Sequence, residues 1–329
     1  MAQDARPIVL DVKDLKTYFY TRRGIAKAVD GVSFQLHQGE TLGLVGESAC
    51  GKSVTALSLI RLVPQPAGRI VGGEVVFQGE DLLQKPEREM RDIRGKQIAM
   101  ILQDPMTSLD PVFTIGDQVG EPIRFHQPEN RKNVLERVVE MLRAVKIPAP
   151  EIRVREYPHQ MSGGMRQRIV AAMAISCTPQ LLIADEPTTS LDVTIQAQLL
   201  KLLNELKTQS QLAMIIITHD FGIVARVCDR VAIMYAGRIV ETADVHTVFK
   251  SPRHPYTQAL IGSVPKVGAR VARLYSIDGQ PPDVRAIPPG CPFAPRCSQA
   301  MDICREKYPE TTVVGDGHLV NCWLMDKKN

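Results

Sequence analysis

The stretch GESACGKSVTAL, residues 46–57, places flexible backbone and one cation between an apolar segment and a helical pattern. The preceding residues ETLGLVG (40–46) are typical of a buried strand, and SVTALSLIRL (53–62) is typical of a helix. A sequence of the form G-x-x-x-x-G-K-S between a strand and a helix is the pattern of a phosphate loop. The matching positions are Gly46, Gly51, Lys52 and Ser53.

Such a loop turns its backbone N–H groups inward, where they hold phosphate oxygens at the positive end of the following helix. Lys52 would neutralise the β- and γ-phosphates of ATP, and the Ser53 hydroxyl would bind Mg²⁺. The expected nucleotide contacts in the loop are Gly46, Ser48, Ala49, Cys50, Gly51, Lys52, Ser53 and Val54.

Ala49 is the one position of this loop whose conformation decides its cost. If the backbone there has positive φ, the Cβ costs about 1 kcal/mol or more, whereas a right-handed conformation costs nothing. Both conformations are compatible with the sequence.

The composition is that of a globular protein, with 44% hydrophobic and 23% charged residues in a chain of 329. The formal net charge of +4 is too small to indicate nucleic-acid binding. No apolar run approaches the roughly 18 residues that span a bilayer, and the N-terminus lacks the layout of a secretory signal. We therefore expect the chain in the cytosol, where it can dock on a membrane protein.

Strand patterns alternate with helical patterns along the chain, which predicts an α/β fold with a mainly parallel sheet. The alternating residues after position 8 predict an antiparallel N-terminal lobe. The expected domains are a core (8–103 and 166–250), an inserted helical subdomain (104–165) and an irregular, Pro-rich and Cys-rich C-terminal extension (251–329).

Two further motifs follow the phosphate loop, MSGGMRQR (161–168) and LLIADEPTTSLD (181–192). With their order and spacing, residues 8–250 resemble the ATP-binding cassette (ABC) family. The resemblance implies an ABC-type P-loop ATPase. It also identifies Gln103 as the Q-loop glutamine, 190–192 as the D-loop and His219 as the switch histidine.

Each of these residues has a physical role in ATP hydrolysis. Glu186 would act as general base or orient the attacking water. His219 would contact the γ-phosphate, and Gln103 would reach both the metal and the water. Asp185 would hold the Mg²⁺ together with Ser53 and Gln103. The expected catalytic residues are Glu186, His219 and Gln103.

In this family the signature residues Ser162, Gly163 and Gly164 bind the ATP held by the other subunit of a head-to-tail dimer. The D-loop residue Asp192 is also expected at the nucleotide. Phe19 matches the position of the aromatic side chain that stacks on adenine, with Tyr18 as the alternative. Met165 departs from the family's usual LSGGQ signature, which removes an amide from that position.

The resemblance extends to the dipeptide and oligopeptide importer ATPases through segments such as SPRHPYTQALIGSVP (251–265) and GCPFAPRC (290–297). It implies a heterodimer with a paralogous ATPase subunit, bound peripherally to the cytoplasmic face of the cell membrane. The further partners that it implies are two integral membrane permease subunits and an extracytoplasmic peptide-binding protein. Residues 104–111 (DPMTSLDP) are expected to line the groove for the membrane subunits. A nickel or other small-solute importer is one alternative, and a soluble cassette ATPase acting on nucleic acid or ribosomes is another.

Four cysteines lie in the C-terminal extension at Cys291, Cys297, Cys304 and Cys322. Four thiolates suit an iron–sulfur cluster or tetrahedral zinc. The wide spacing lacks the C-x2–4-C knuckle of most zinc sites, so a [4Fe–4S] cluster is the preferred prediction, followed by zinc. A disulfide is disfavoured in a reducing compartment, and unligated thiols remain an alternative.

Overall fold

The computed structural model describes residues 6–103, 108–127, 130–189, 191–264 and 276–326. The chain forms two compact units. The first comprises Met1–Val9, Leu36–Glu40 and Gln84–Ile217, and the second comprises Leu10–Gln35, Thr41–Leu83 and Thr218–Asn329. No helix in the described part of the chain is both long and apolar enough to cross a membrane.

Strands and helices alternate along the described residues. The strands are β1 (Ile8–Thr21), β2 (Gly24–His37), β3 (Thr41–Val45), β4 (Gly68–Phe77), β5 (Glu80–Asp81), β6 (Ile98–Ile101), β7 (Leu181–Asp185), β8 (Ala213–Thr218), β9 (Arg230–Tyr235), β10 (Arg238–Asp244), β11 (Thr312–Gly315) and β12 (His318–Val320). The helices are α1 (Lys52–Leu59), α2 (Glu87–Ile93), α3 (Ile115–His126), α4 (Arg131–Ala144), α5 (Pro150–Arg153), α6 (Gly163–Ile175), α7 (Val193–Ser210), α8 (Phe221–Val227), α9 (Val245–Lys250), α10 (Pro255–Gly262) and α11 (Ile303–Glu306).

The first unit is built on the parallel ladder β6–β7–β8. Every residue of β7 and β8 is buried, which is why both strands read as continuous apolar runs rather than alternating ones. The predicted strands LLIAD and MIIIT are confirmed by β7 and β8.

Helices α3 to α6 of the first unit occupy much of the segment in which the sequence predicts helical structure. Helix α3 packs on α4 and α6. Thr114 and Asn130 cap α3 and α4 by accepting hydrogen bonds from Asp117 and Asn133 backbone N–H groups, so polar residues define where these helices begin.

The second unit contains an antiparallel sheet of order β2-β1-β4-β5, which confirms the predicted antiparallel lobe. It also contains β3, which pairs in parallel with β9, followed by the antiparallel neighbours β10, β12 and β11. The phosphate-loop stretch connects β3 to α1, as the sequence predicts.

The C-terminal extension is more ordered than the irregular arm expected from its sequence. It contains α10, α11 and the hairpin β11–β12, and β12 adds to the sheet beside β10. The fully buried carboxylate of Glu241 on β10 explains this order. It accepts hydrogen bonds from the backbone N–H groups of Arg253 (2.8 Å) and His254 (2.9 Å), and it lies 2.7 Å from His318 Nε2.

We predict that Glu241→Ala loosens the C-terminal extension, because it leaves buried donors without an acceptor. The expected loss in the free energy of unfolding is about 2–4 kcal/mol. Urea denaturation would measure the free energy of unfolding. Limited proteolysis would measure the rate of cleavage within the C-terminal extension. Glu310→Ala, at an exposed position of the same extension, serves as control and should leave both unchanged. Equal behaviour of the two variants would contradict the anchoring role of Glu241.

Candidate functional site

The phosphate loop belongs to the second unit, where its backbone approaches that of neighbouring strands closely at two glycines. A Cβ at Gly46 would lie 2.2 Å from the Met234 carbonyl oxygen. A Cβ at Gly51 would lie 2.2 Å from the Ala28 carbonyl oxygen, and Gly51 also has φ +107° as the residue that precedes α1. No other residue type fits either position without displacing backbone.

Lys52 is drawn back over the loop. Its Nζ donates hydrogen bonds to the carbonyl oxygens of Gly46 (2.8 Å) and Glu47 (2.9 Å), and its side chain is buried. The ammonium group is thus centred on the loop at whose backbone N–H groups a phosphate would bind. Cys50 is also buried here, and burial raises the pKa of its thiol, so it is a packing residue rather than a reactive thiolate.

Ala49 has φ +63°, which is the left-handed conformation. Of the two conformations that the sequence leaves open, the structure therefore has the one with positive φ. The Cβ of Ala49 at this exposed loop position carries a steric cost of about 1 kcal/mol.

Glu47 links the phosphate loop to the C-terminal extension, a contact that no local sequence pattern predicts. Its carboxylate accepts two hydrogen bonds from Arg296, at 2.7 and 2.9 Å. Its backbone N–H donates to the Tyr256 hydroxyl at 2.9 Å. The only sequence signal was an arginine between two cysteines in GCPFAPRC, which local periodicity does not connect with residue 47.

In the first unit, Gln103 and Glu186 are brought together. Gln103 Nε2 donates a hydrogen bond to Glu186 Oε2 at 3.1 Å, and Thr189 Oγ1 donates to the same oxygen at 3.0 Å. Glu186 follows the buried strand β7 and has φ +46°, a conformation that β7 and the turn after it impose on a non-glycine residue. Asp185 ends β7 and is 5% exposed.

The signature residues begin α6. Ser162 accepts a hydrogen bond from the Met165 backbone N–H at 3.3 Å and so caps the helix. A Cβ on Gly164 would lie 2.7 Å from Ile195, whereas a Cβ on Gly163 would meet no described atom within 4 Å. Packing among the described residues therefore explains Gly164 but does not explain Gly163.

The D-loop is described only in part, because Ser190 lies outside the described residues, as do residues 104–107 of the expected groove. Asp192 caps α7 by accepting hydrogen bonds from the backbone N–H groups of Thr194 and Ile195, both at 3.0 Å. This capping gives Asp192 a structural role in addition to any contact with nucleotide.

The remaining predicted residues lie in the second unit. His219 is exposed between β8 and α8. The Tyr18 hydroxyl donates to Asp30 Oδ1 at 2.6 Å, and burial together with this hydrogen bond raises the pKa of Tyr18 to about 12. The half-buried Phe19 packs beside Gly68. Stacking of Phe19 on adenine therefore stays a prediction, with Tyr18 as the alternative.

The four C-terminal cysteines line one small cavity, together with His254. Among the described residues, however, no group of three or more His, Cys, Asp or Glu side chains is arranged to hold a metal ion. Burial raises the pKa of Cys291 to about 11 and that of Cys322 to about 12, so both thiols are protonated near neutral pH.

His254 is 1% exposed and adds an unusual group to this cavity. Its Nδ1 accepts a hydrogen bond from the Tyr256 backbone N–H at 3.0 Å, which places the ring proton on Nε2. Burial lowers the pKa of His254 to about 3, so the ring is neutral. Within the described part of the chain, Nε2 has no hydrogen-bond partner.

Two family models match the chain. The model "ABC transporter" matches residues 29–189, and "Oligopeptide/dipeptide transporter, C-terminal region" matches residues 240–304. A probable peptide ABC transporter ATP-binding protein of Sinorhizobium fredii is 53% identical over 96% of this chain and 95% of its own length. The dipeptide transport ATP-binding protein DppD of Bacillus subtilis is 51% identical, over 97% of this chain and 96% of its own.

Solved structures show the same fold at lower identity. A bacterial ABC transporter cassette solved as a dimer has a TM-score of 0.64 and 24% identity, covering 72% of this chain and 98% of its own. CbiO1 from Clostridium perfringens has a TM-score of 0.62 and 24% identity, covering 74% and 91%. The cassette fold predicted from the sequence motifs is confirmed.

We predict that Ala49→Gly raises the free energy of unfolding by up to about 1 kcal/mol, because it removes the left-handed Cβ that the folded loop carries before any ligand binds. Urea denaturation would measure this, and the affinity for an ATP analogue should stay unchanged. Ala56→Gly, the same substitution inside α1, is the matched control and should lower the free energy of unfolding by about 1 kcal/mol. Unchanged or lower stability in Ala49→Gly would contradict the strain at this position.

Proposed function

Because the chain belongs to the family of ATP-binding subunits of peptide ABC transporters, we propose that it hydrolyses ATP to drive import of dipeptides or oligopeptides across the cell membrane. The observation that carries the proposal is the similarity over nearly the whole chain, including the C-terminal region, to relatives named as peptide transport ATP-binding proteins. An ABC-type ATPase activity follows from the family itself.

We assign nucleotide binding to the phosphate loop. The backbone N–H groups of Gly46 and of residues 48–54, together with the Lys52 ammonium, would hold the phosphates, with Phe19 stacked on the adenine. Ser53 and Asp185 would hold Mg²⁺, and Gln103 would complete this set. The buried Lys52, already centred on the loop, supports this assignment because its charge is positioned before the anion arrives.

We assign catalysis to Glu186. A water molecule would attack the γ-phosphorus and the bond to the β-phosphate oxygen would break. Glu186 would orient the water or take its proton, and ADP would leave with the bond's electron pair. Hydrogen bonds from Gln103 and Thr189 to one carboxylate oxygen support the role, since they fix the orientation of the carboxylate. His219 would contact the γ-phosphate.

We assign Ser162, Gly163 and Gly164 to the ATP bound by a second, paralogous ATPase subunit. The open space beside Gly163 supports this, because packing among the described residues does not require a glycine there. Close approach of a phosphate from another subunit would require it. Asp192 at the start of α7 would lie at the same interface.

The proposed membrane partners are two integral permease subunits, served by an extracytoplasmic peptide-binding protein. Three large apolar side chains on either side of residues 104–107 are exposed in the first unit, namely Leu102, Val112 and Phe113. Exposed apolar surface of this kind marks protein interfaces, which supports a peripheral location on the cytoplasmic face of the membrane.

We further propose that Cys291, Cys297, Cys304 and Cys322 hold a [4Fe–4S] cluster. The convergence of all four thiols on one cavity supports the proposal, as does the neutral His254 Nε2–H, which is a donor suited to a cluster or thiolate sulfur. Binding would require the thiols to turn from their present positions and to lose their protons. A bound cluster would supply a covalent clamp for the extension.

We predict that Glu186→Gln retains ATP binding while hydrolysis falls at least about 100-fold, since a neutral amide cannot accept the proton. Cells that carry this variant as their only copy should lose uptake of a labelled dipeptide and keep nickel uptake. Glu310→Gln at an exposed position is the control.

The same experiment separates the alternatives. Dipeptide uptake that persists after redundant peptide permeases are removed would reject the peptide assignment and direct attention to nickel or another solute. An ATPase that remains outside the membrane fraction and is stimulated by DNA or RNA would support action on nucleic acid or ribosomes instead.

For the cysteines, we predict that anaerobically purified protein is coloured and contains about four iron atoms per chain. Cys297→Ser should reduce the iron content strongly, whereas Cys177→Ser, at a buried cysteine outside the cavity, should not. A colourless, iron-free protein would contradict the cluster. About one zinc ion per chain would instead indicate that the four cysteines form a zinc site.

A further inference from the structure

Glu47, a residue of the phosphate loop, forms hydrogen bonds through its carbonyl oxygen, its backbone N–H and its carboxylate. Its carbonyl oxygen accepts from Lys52 Nζ at 2.9 Å, and its backbone N–H donates to the Tyr256 hydroxyl at 2.9 Å. Its carboxylate accepts a bidentate pair of hydrogen bonds from the Arg296 guanidinium, at 2.7 and 2.9 Å. Two of these three attachments come from the C-terminal extension, which lies outside the part of the chain that matches the ABC transporter model.

Arg296 is itself rigidly held. Its side chain is only 4% exposed, and Nε donates to the Asp278 carbonyl oxygen at 2.9 Å while Nη1 reaches the Tyr235 hydroxyl at 3.2 Å. The guanidinium carbon lies 5.9 Å from the ring centres of both Tyr235 and Phe293. A buried, bidentate arginine of this kind fixes the direction of its carboxylate partner as well as neutralising it.

Tyr256 is equally fixed. It is fully buried on α10, and its ring centre lies 4.5 Å from that of Tyr235 and 5.3 Å from that of Phe293. Its hydroxyl therefore accepts the hydrogen bond from the Glu47 N–H at a position set by packing, which fixes this peptide of the loop relative to α10.

The charge of Glu47 gives this arrangement a functional consequence. A carboxylate one residue after Gly46 would repel the phosphates of a nucleotide in the same loop. Arg296 neutralises it and holds it towards the extension. We propose that Arg296 and Tyr256 are positioning residues for nucleotide binding: the C-terminal extension shapes the phosphate loop and compensates its negative charge. The proposal rests on the assignment of ATP to this loop.

The test is the affinity of the full chain for a fluorescent ATP analogue with Mg²⁺, measured in a double-mutant cycle. Arg296→Gln should weaken binding by about 5- to 30-fold, because it leaves the Glu47 carboxylate unpaired. Glu47→Gln combined with Arg296→Gln should recover most of this loss, since the repelling charge is gone. Tyr256→Phe should weaken binding by about 2- to 10-fold through the loss of one acceptor.

Arg305→Gln is the matched control, because Arg305 is an exposed arginine of the same extension whose nearest carboxylate, Asp302, lies 3.6 Å away. It should bind the analogue as the unsubstituted chain does. Wild-type affinity in Arg296→Gln, or an equal loss in Arg296→Gln and Arg305→Gln, would overturn the proposal. A Glu47→Gln/Arg296→Gln protein no better than Arg296→Gln alone would also overturn it.

Should Arg296→Gln fail to fold, Arg296→Lys and Tyr256→Phe decide the question, since both retain most of the packing. Unchanged affinity in both would overturn the proposal. Lys52→Ala separates this inference from its premise. If Lys52→Ala binds the analogue normally, the loop is not the nucleotide site and both proposals fail. If it does not bind while Arg296→Gln binds normally, only the positioning role fails.

Discussion

The close approach of the phosphate loop to neighbouring backbone is the constraint on which the second unit depends. At Gly46 and Gly51 there is no room for a Cβ, because the carbonyl oxygens of Met234 and Ala28 occupy that space. The loop is therefore fixed against β9 and β2 before any ligand binds. Preorganised N–H groups and a preplaced Lys52 reduce the cost of ordering the site when an anion arrives.

In the first unit, a buried strand determines where the carboxylates of Asp185 and Glu186 lie. A fully buried parallel strand, β7, delivers Asp185 and Glu186 at its carboxyl end, where the apolar run stops and polar groups become exposed. Glu186 adopts a left-handed conformation there, and Gln103 and Thr189 hold its carboxylate. The backbone strain at Glu186 is tolerated because the buried strand before it fixes its backbone and the two hydrogen bonds fix its side chain.

The C-terminal extension forms hydrogen bonds both with the sheet and with the phosphate loop of the second unit. Glu241 anchors its start and its final hairpin to β10, and Arg296 and Tyr256 reach Glu47 in the phosphate loop. The residues that line the four-cysteine cavity adjoin these contacts in sequence, with Cys297 after Arg296 and His254 before Pro255 and Tyr256. The residues that line the cavity and the residues that contact the phosphate loop are therefore neighbours in sequence within the extension.

The sequence by itself determined the phosphate loop, the buried strands and the identity of the family, because these depend on local patterns of glycine, charge and apolar residues. It could not determine the sign of φ at Ala49, the pairing of Glu47 with Arg296, or the addition of β12 to the sheet. The pairing joins residues 249 positions apart, and no local periodicity encodes such a contact. The conformation of Ala49 is imposed by the loop's attachments rather than by the preference of alanine. Only the tertiary structure, in which these segments pack on one another, decides them.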